Sequence, residues 1–139
     1  MYGYILFNMK KPKRKTLTNK LDKLVSEIAR SGGVCEFCGA KGYLNAHHIF
    51  TRTMRSVRWD LDNLICLCSK HHVFSTEFSA HGTPLPFAEW VREYRGEEWY
   101  HKLYVKAYTI KQWSDKELIE LYKELNDKYK GGNKAKEKK

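Results

Sequence analysis

The chain has 139 residues, with 26 Lys and Arg against 16 Asp and Glu, for a formal charge of +10. That length allows one domain with extensions and a modest core, of a size that often needs a metal or another staple. No apolar run approaches the ~18 residues of a membrane span, and no signal-peptide pattern opens the chain, so a cytoplasmic protein with no membrane partner is expected. A surface this basic favours an anionic partner, of which nucleic acid is the commonest.

Residues 1–15 end in the block KKPKRK and read as a basic N-terminal arm. Leu17, Leu21, Leu24, Val25 and Ile28 then recur at helical spacing until Gly32 and Gly33, which predicts a helix over about 17–30, apolar on one side and basic on the other. Residues 34–72 hold all four Cys and most of the His, in short β-type runs punctuated by Gly39 and Gly42. A short helix is expected from HHVFSTEF, then a break at GTPLP. Pro86 suits the first turn of a helix carrying Phe87, Trp90, Val91 and Tyr94, and Trp99, Leu103 and Ala107 predict another after Gly96. Ser114 and Glu117 have the form of a capping box opening a last helix through Leu118, Ile119, Tyr122 and Leu125. The main domain is thus expected over 16–128, with a flexible Lys-rich tail over 129–139. The dense aromatics over 87–113 fit a nucleic-acid stacking platform in composition, but their helical spacing predicts core packing.

Four Cys without a signal peptide point to metal rather than disulfides. Cys35-x-x-Cys38 places two thiols on one tight turn, and Cys68-x-x-His71 offers a second turn of the same kind. Together they supply the four tetrahedral N and S ligands of a structural Zn²⁺, which would help to fold a small domain. Cys66-x-x-Ser69 leads to no second ligand, so Cys66 reads as a small buried thiol.

Between the knuckles lie His47 and His48 before an isoleucine, and then Asp62-Asn63-Leu64. Neighbours on a strand point to opposite faces, so the two histidines suit one metal ligand and one base rather than two ligands of one ion. A neutral imidazole can take a proton from water. An imidazole site with open positions accepts Mg²⁺, Mn²⁺, Ni²⁺ or Zn²⁺.

The ordered set Cys-x-x-Cys, His-His-Ile, Asp-Asn-Leu and Leu-Cys-x-x-His-His resembles the HNH, or ββα-metal, endonuclease family in its zinc-knuckle subset. With Arg58-Trp59-Asp60 before Asn63, the stretch from His47 to His72 is also similar to HNH endonucleases of tailed bacteriophages. The resemblance covers residues 33–82 closely. It implies an α+β protein: a ββα-metal core, stapled by a structural zinc and flanked by α-helices. It implies a metal-dependent endonuclease on DNA, expected double-stranded. By resemblance His47 and His72 ligate the catalytic cation, His48 is the general base, and Asn63 tethers the loop between the strands and orients that base. The chain departs from the family pattern in having His71 at a zinc position usually held by Cys, which leaves His71 and His72 partly exchangeable. It also has Thr76 where many members have a further ligand, so His81, Glu77 or water would complete the catalytic shell.

Arg52, Arg55 and Arg58 follow the histidine pair at three-residue intervals and suit phosphate contact, Arg58 foremost because it belongs to the Arg-Trp-Asp match. Trp59 reads as a core anchor. A zinc-ribbon DNA-binding protein that does not cut would use the same charge and zinc ligands; only the nuclease needs His48 and Asn63.

Overall fold

The structure, a computed structural model, describes residue 10 and residues 12–137, with side chains described up to residue 130. Most of the expected N-terminal arm therefore lies outside the described residues. The elements are α1 (Arg14–Arg30), β1 (Leu44–His48), a short 3₁₀ turn (Leu61–Asn63), β2 (Leu64–Cys68), one wide helical turn (Lys70–Phe74), α2 (Pro84–Arg95), α3 (Glu97–Ala107) and α4 (Asp115–Glu137). The protein is mixed α+β, with one two-stranded antiparallel sheet. No helix among the described residues is long and apolar enough to cross a membrane.

The hairpin sits between two helical layers. β2, sequence LICLC, is buried at every position, as expected of a strand covered on both faces. On one side Leu64 joins Leu17, Leu21, Leu24 and Val25 of α1, Trp59, and Leu118 and Leu125 of α4. On the other, Ile65 and Leu67 pack with Ala80 and with Phe87 and Val91 of α2. A smaller cluster joins Val57 of the inter-strand loop to Leu103 and Ala107 of α3. Trp59 is 5% exposed, as expected of an anchor.

The helices fall near their predicted places, and the differences have local causes. α1 starts at Arg14, a turn early, because the Arg14 guanidinium is held by Asp115 and the Trp113 carbonyl at the start of α4. The capping box forms: Glu117 N–H donates to Ser114 Oγ at 3.1 Å, and Ser114 N–H donates to the Glu117 carboxylate at 2.8 Å. The helix expected after His71 shrinks to Lys70–Phe74. The backbone of α4 stays helical through Glu137, into the stretch expected as a Lys-rich tail. Two glycines near a helix end cost only about 1 kcal/mol each, and the Lys, Ala and Glu around them favour helix.

Candidate metal centre and catalytic cleft

The first knuckle is shaped by its backbone. Gly39, at φ +77°, turns the chain so that its N–H donates to the Cys35 carbonyl at 2.8 Å, while Cys35 N–H donates to the Ala40 carbonyl at 2.8 Å. Only glycine takes that conformation at no cost. The second knuckle is the end of β2 and the turn that follows. Cys35, Cys38, Cys68 and His71 bring one ligand atom each within 4.8 Å of one another. Cys38 Sγ lies 3.8 Å from Cys68 Sγ, and His71 Nδ1 lies 3.3 Å from Cys68 Sγ. Tetrahedral zinc with ~2.3 Å bonds to sulfur requires a sulfur–sulfur edge of about 3.8 Å. The donor set therefore fits zinc in number, type and spacing.

Electrostatics agree with this grouping. Burial pushes the Cys35 thiol up, but N–H groups of Cys68, Cys38 and Phe37 aimed at its sulfur overcome that and hold it below the usual thiol range. The Ala40 N–H acts in the same sense on Cys38. There burial and the neighbouring thiols of Cys35 and Cys68 prevail and raise it. Cys66 stands apart: it is buried, and desolvation together with the nearby Glu36 carboxylate raises its thiol. Glu36 itself accepts the Cys66 N–H at 2.7 Å and binds Arg95 and the Tyr94 hydroxyl, which joins the knuckle to α2.

The histidines diverge because of the strand register. His47 faces Ile65 and His48 faces Leu64 across the hairpin. The two side chains thus leave on opposite faces. His47 turns to the α2 side, with its ring 5.4 Å from Phe87, 5.2 Å from His72 and 5.1 Å from His81. His47, His72 and His81 form a second group whose ligand nitrogens lie within 4.8 Å of one another. Nε2 of His72 and Nε2 of His81 stand 3.2 Å apart, close to the spacing of neighbouring imidazole ligands at ~2.0–2.1 Å from one ion. Burial, then the positive fields of His72 and His81, push His47 down to about 3, so its lone pair is free at neutral pH. Burial and His81 lower His72 as well. Three imidazole nitrogens gathered in this way are a donor set that fits a divalent cation.

The adjacent His71 and His72 separate here, His71 to the cysteines and His72 to His47. His81 reaches the group because its loop is pinned to the turn: Ala80 N–H donates to the His71 carbonyl and His81 N–H to the His72 carbonyl, at 2.9 and 3.0 Å. Glu77, the other residue expected to complete the shell, is exposed and lies outside the group.

His48 turns to the α1 side. Its Nε2 lies 2.9 Å from the Arg58 carbonyl. A carbonyl only accepts, so Nε2 carries the hydrogen and Nδ1 is left with the lone pair. Burial lowers His48, and the Arg58 carbonyl partly offsets this. Asn63, wholly buried, holds the loop that supplies that carbonyl. Its Oδ1 accepts Phe50 N–H at 2.7 Å, and its Nδ2 donates to the carbonyls of Phe50 and Val57 at 2.9 and 3.1 Å.

Arg58, expected to contact phosphate, has its fork engaged within the chain. Its Nε and one terminal nitrogen bind the Asp22 carboxylate at 3.0 and 2.6 Å, and Trp59 Nε1 donates to the same carboxylate at 2.8 Å. Asp22 of α1 is the residue the sequence reading missed. A single charged residue among the apolar positions of a helix gives little sign of a partner 36 positions away. Arg52 instead lines the cleft of about 800 Å³ that holds His47, His48, His72 and His81, together with Lys23. Arg55 lies elsewhere, in a shallow depression beside Tyr108 and Lys111. No family model, curated protein or solved structure matches this chain.

Proposed function

We propose that this chain is a metal-dependent DNA endonuclease with an HNH, ββα-metal type core, stapled by zinc on Cys35, Cys38, Cys68 and His71. The observation that carries the reading is the cleft, where three clustered imidazoles and a fourth histidine of fixed tautomer meet from opposite faces of one hairpin. A divalent cation held by His47, His72 and His81 would supply positive charge to the scissile phosphate and the departing 3′ oxygen. His48 accepts the proton of the attacking water at Nδ1. The Arg58 carbonyl holds the hydrogen on the other nitrogen and keeps the ring from turning. Asn63 fixes the loop that presents that carbonyl. Arg52 and Lys23, at the cleft edge, attract the phosphate backbone.

Purified protein incubated with supercoiled plasmid and added Mg²⁺, Mn²⁺, Ni²⁺ or Zn²⁺ should convert it to nicked or linear product, and chelation should stop this. His48→Ala should cut on the order of 10²–10⁴ times more slowly, the usual cost of losing a general base. Its zinc content, melting and DNA affinity should stay those of the parent. A His48→Ala protein that cuts as well as the parent refutes the mechanism and leaves a zinc-bearing DNA-binding module.

A further inference from the structure

The helical spacing of the aromatics over 87–113 predicts core packing, and part of the set departs from it. On α3 the core is made by Leu103 and Ala107 with Trp99 packed against it. Tyr100, Tyr104 and Tyr108 form a second stripe at the same four-residue spacing, one position round the helix. Tyr104 is 44% exposed and Tyr108 61%. Phe50, from the loop that follows β1, packs 6.0–6.3 Å from all three rings. Tyr104 and Tyr108 lie 4.6 Å apart, and Arg92 stacks over Tyr100 at 4.6 Å.

The position of this stripe gives it a direction. Tyr100 is part of the wall of the histidine cleft, which also holds Arg52. Tyr108, about 12 Å further along the helix at 1.5 Å per residue, borders the depression that holds Arg55 and Lys111. Among the described residues neither Arg52 nor Arg55 has a carboxylate within ion-pair distance. An aromatic track thus leads out of the cleft with an unpaired guanidinium at each end, on a chain of charge +10. Stacked duplex bases hide their faces and present only their edges and the backbone to such a track. Unpaired bases offer both the faces that tyrosines stack on and the phosphates that arginines bind. A protein surface would satisfy the rings but gives no reason for two cations without an ion-pair contact flanking them.

We propose that the Tyr100–Tyr104–Tyr108 stripe binds a single-stranded nucleic-acid segment that runs out of the cleft, so that the preferred substrate is DNA with an unpaired stretch beside the duplex. The substrate preference rests on the nuclease reading; the binding surface does not. The test uses the full chain, dialysed so that tightly bound zinc stays and free divalent ions are absent. The probes are a blunt duplex and the same duplex with a single-stranded extension of about ten nucleotides, within the usual site size, carrying 2-aminopurine. The parent should bind the extended probe more tightly than the blunt one and change the 2-aminopurine fluorescence on stacking. The double variant Tyr104→Ala/Tyr108→Ala should bind the extended probe roughly 10-fold or more weakly, as loss of base stacking implies, with unchanged blunt-duplex affinity and melting temperature. Tyr104→Phe/Tyr108→Phe keeps the rings and should retain the preference. Equal binding of the two probes by the parent, or a preference that survives the double Ala variant, overturns the proposal. So does a parent dimer in sedimentation that the Ala variant splits, which would make the stripe an interface between copies. If the preference is present and tyrosine-dependent while plasmid is never cut, the stripe stands and the nuclease reading falls.

Discussion

Three thiols and one imidazole gather where Cys68 pairs with Leu44, at one end of the hairpin; three imidazoles gather near its other end, where His47 pairs with Ile65. The two groups even share one turn, which sends His71 to the first and His72 to the second. They differ in what surrounds them. The cysteine group has four donors within 4.8 Å of one another, with N–H groups aimed at the Cys35 and Cys38 sulfurs. The histidine group has three donors on the wall of an 800 Å³ cleft with cations at its edge. A closed four-donor set suits a staple, and an open three-donor set leaves room for a substrate. The same small hairpin can serve both needs because alternate strand positions reach separate environments.

The largest expected effect tests the closed half of that contrast. Cys38→Ser removes one of four zinc donors. Zinc binding in small domains is worth about 10–16 kcal/mol, as much as a whole domain's stability. The variant should lose the metal in elemental analysis and most of its helical signal in circular dichroism. His72→Ala removes a donor from the open group and should keep zinc and fold, with a weakened response of cleavage to added divalent ion. If Cys38→Ser keeps both zinc and fold, the closed site is misassigned.

A second expected effect separates the groups through a glycine. A Cβ on Gly82 would stand 2.5 Å from Ser79 Oγ and 2.7 Å from the Ser75 carbonyl. Those atoms belong to the knot that folds the His81 loop: Ser79 Oγ donates to the Ser75 carbonyl at 2.8 Å and accepts the Gly82 N–H at 2.9 Å. Gly82→Ala should therefore move His81 away from His47 and His72 and cost about 1–3 kcal/mol by overpacking. Cobalt(II) gives distinct spectra on thiolates and on imidazoles. Titration should show the thiolate site unaltered and the imidazole site weakened. Equal weakening of both would mean that the loop supports the two sites jointly.

What the sequence made legible follows the same division. The knuckles are readable because a metal site requires particular residues at short spacing, whereas the roles of the His47–His48 pair and Asn63 follow from the resemblance to the HNH family. In the sequence His81 and Glu77 stand as alternatives, because the choice depends on how Ser75, Ser79 and Thr83 fold a loop, which no spacing encodes. The sequence suggests a phosphate contact for Arg58 but does not show that α1 brings the Asp22 carboxylate to its fork. The tyrosines of α3 were assigned to the core because the stripe through Leu103 and Ala107 and the stripe through Tyr104 and Tyr108 share one period, and only the neighbours decide which is covered.

The last expected effect concerns neither cluster but the support of His48, and it carries a pH signature. The Asp22 carboxylate is partly buried, which by itself would raise it. The hydrogen bonds of Arg58 and Trp59 and the charges of Arg58 and Arg52 prevail and hold it below the usual carboxylate range. His48 also lies in its field. A depressed carboxyl contributes stability that is fully present above its unfolded pKa, near 4, and is lost as pH falls from there toward the folded value. Asp22→Asn should thus destabilise the protein by about 2 kcal/mol at pH 7, the scale of hydrogen bonds to a charged group. Urea unfolding in zinc-replete buffer should show the gap between parent and variant closing as pH falls below about 4, because the parent then loses the charge that the variant never had. Loosening Arg58 also loosens the carbonyl that orients His48. Cleavage by the variant should therefore slow at pH 7 even at temperatures where it is fully folded, while zinc content and imidazole-site affinity stay those of the parent. A stability gap independent of pH would show that the Asp22 charge does not hold Arg58, and an unchanged rate would show that His48 needs no such support.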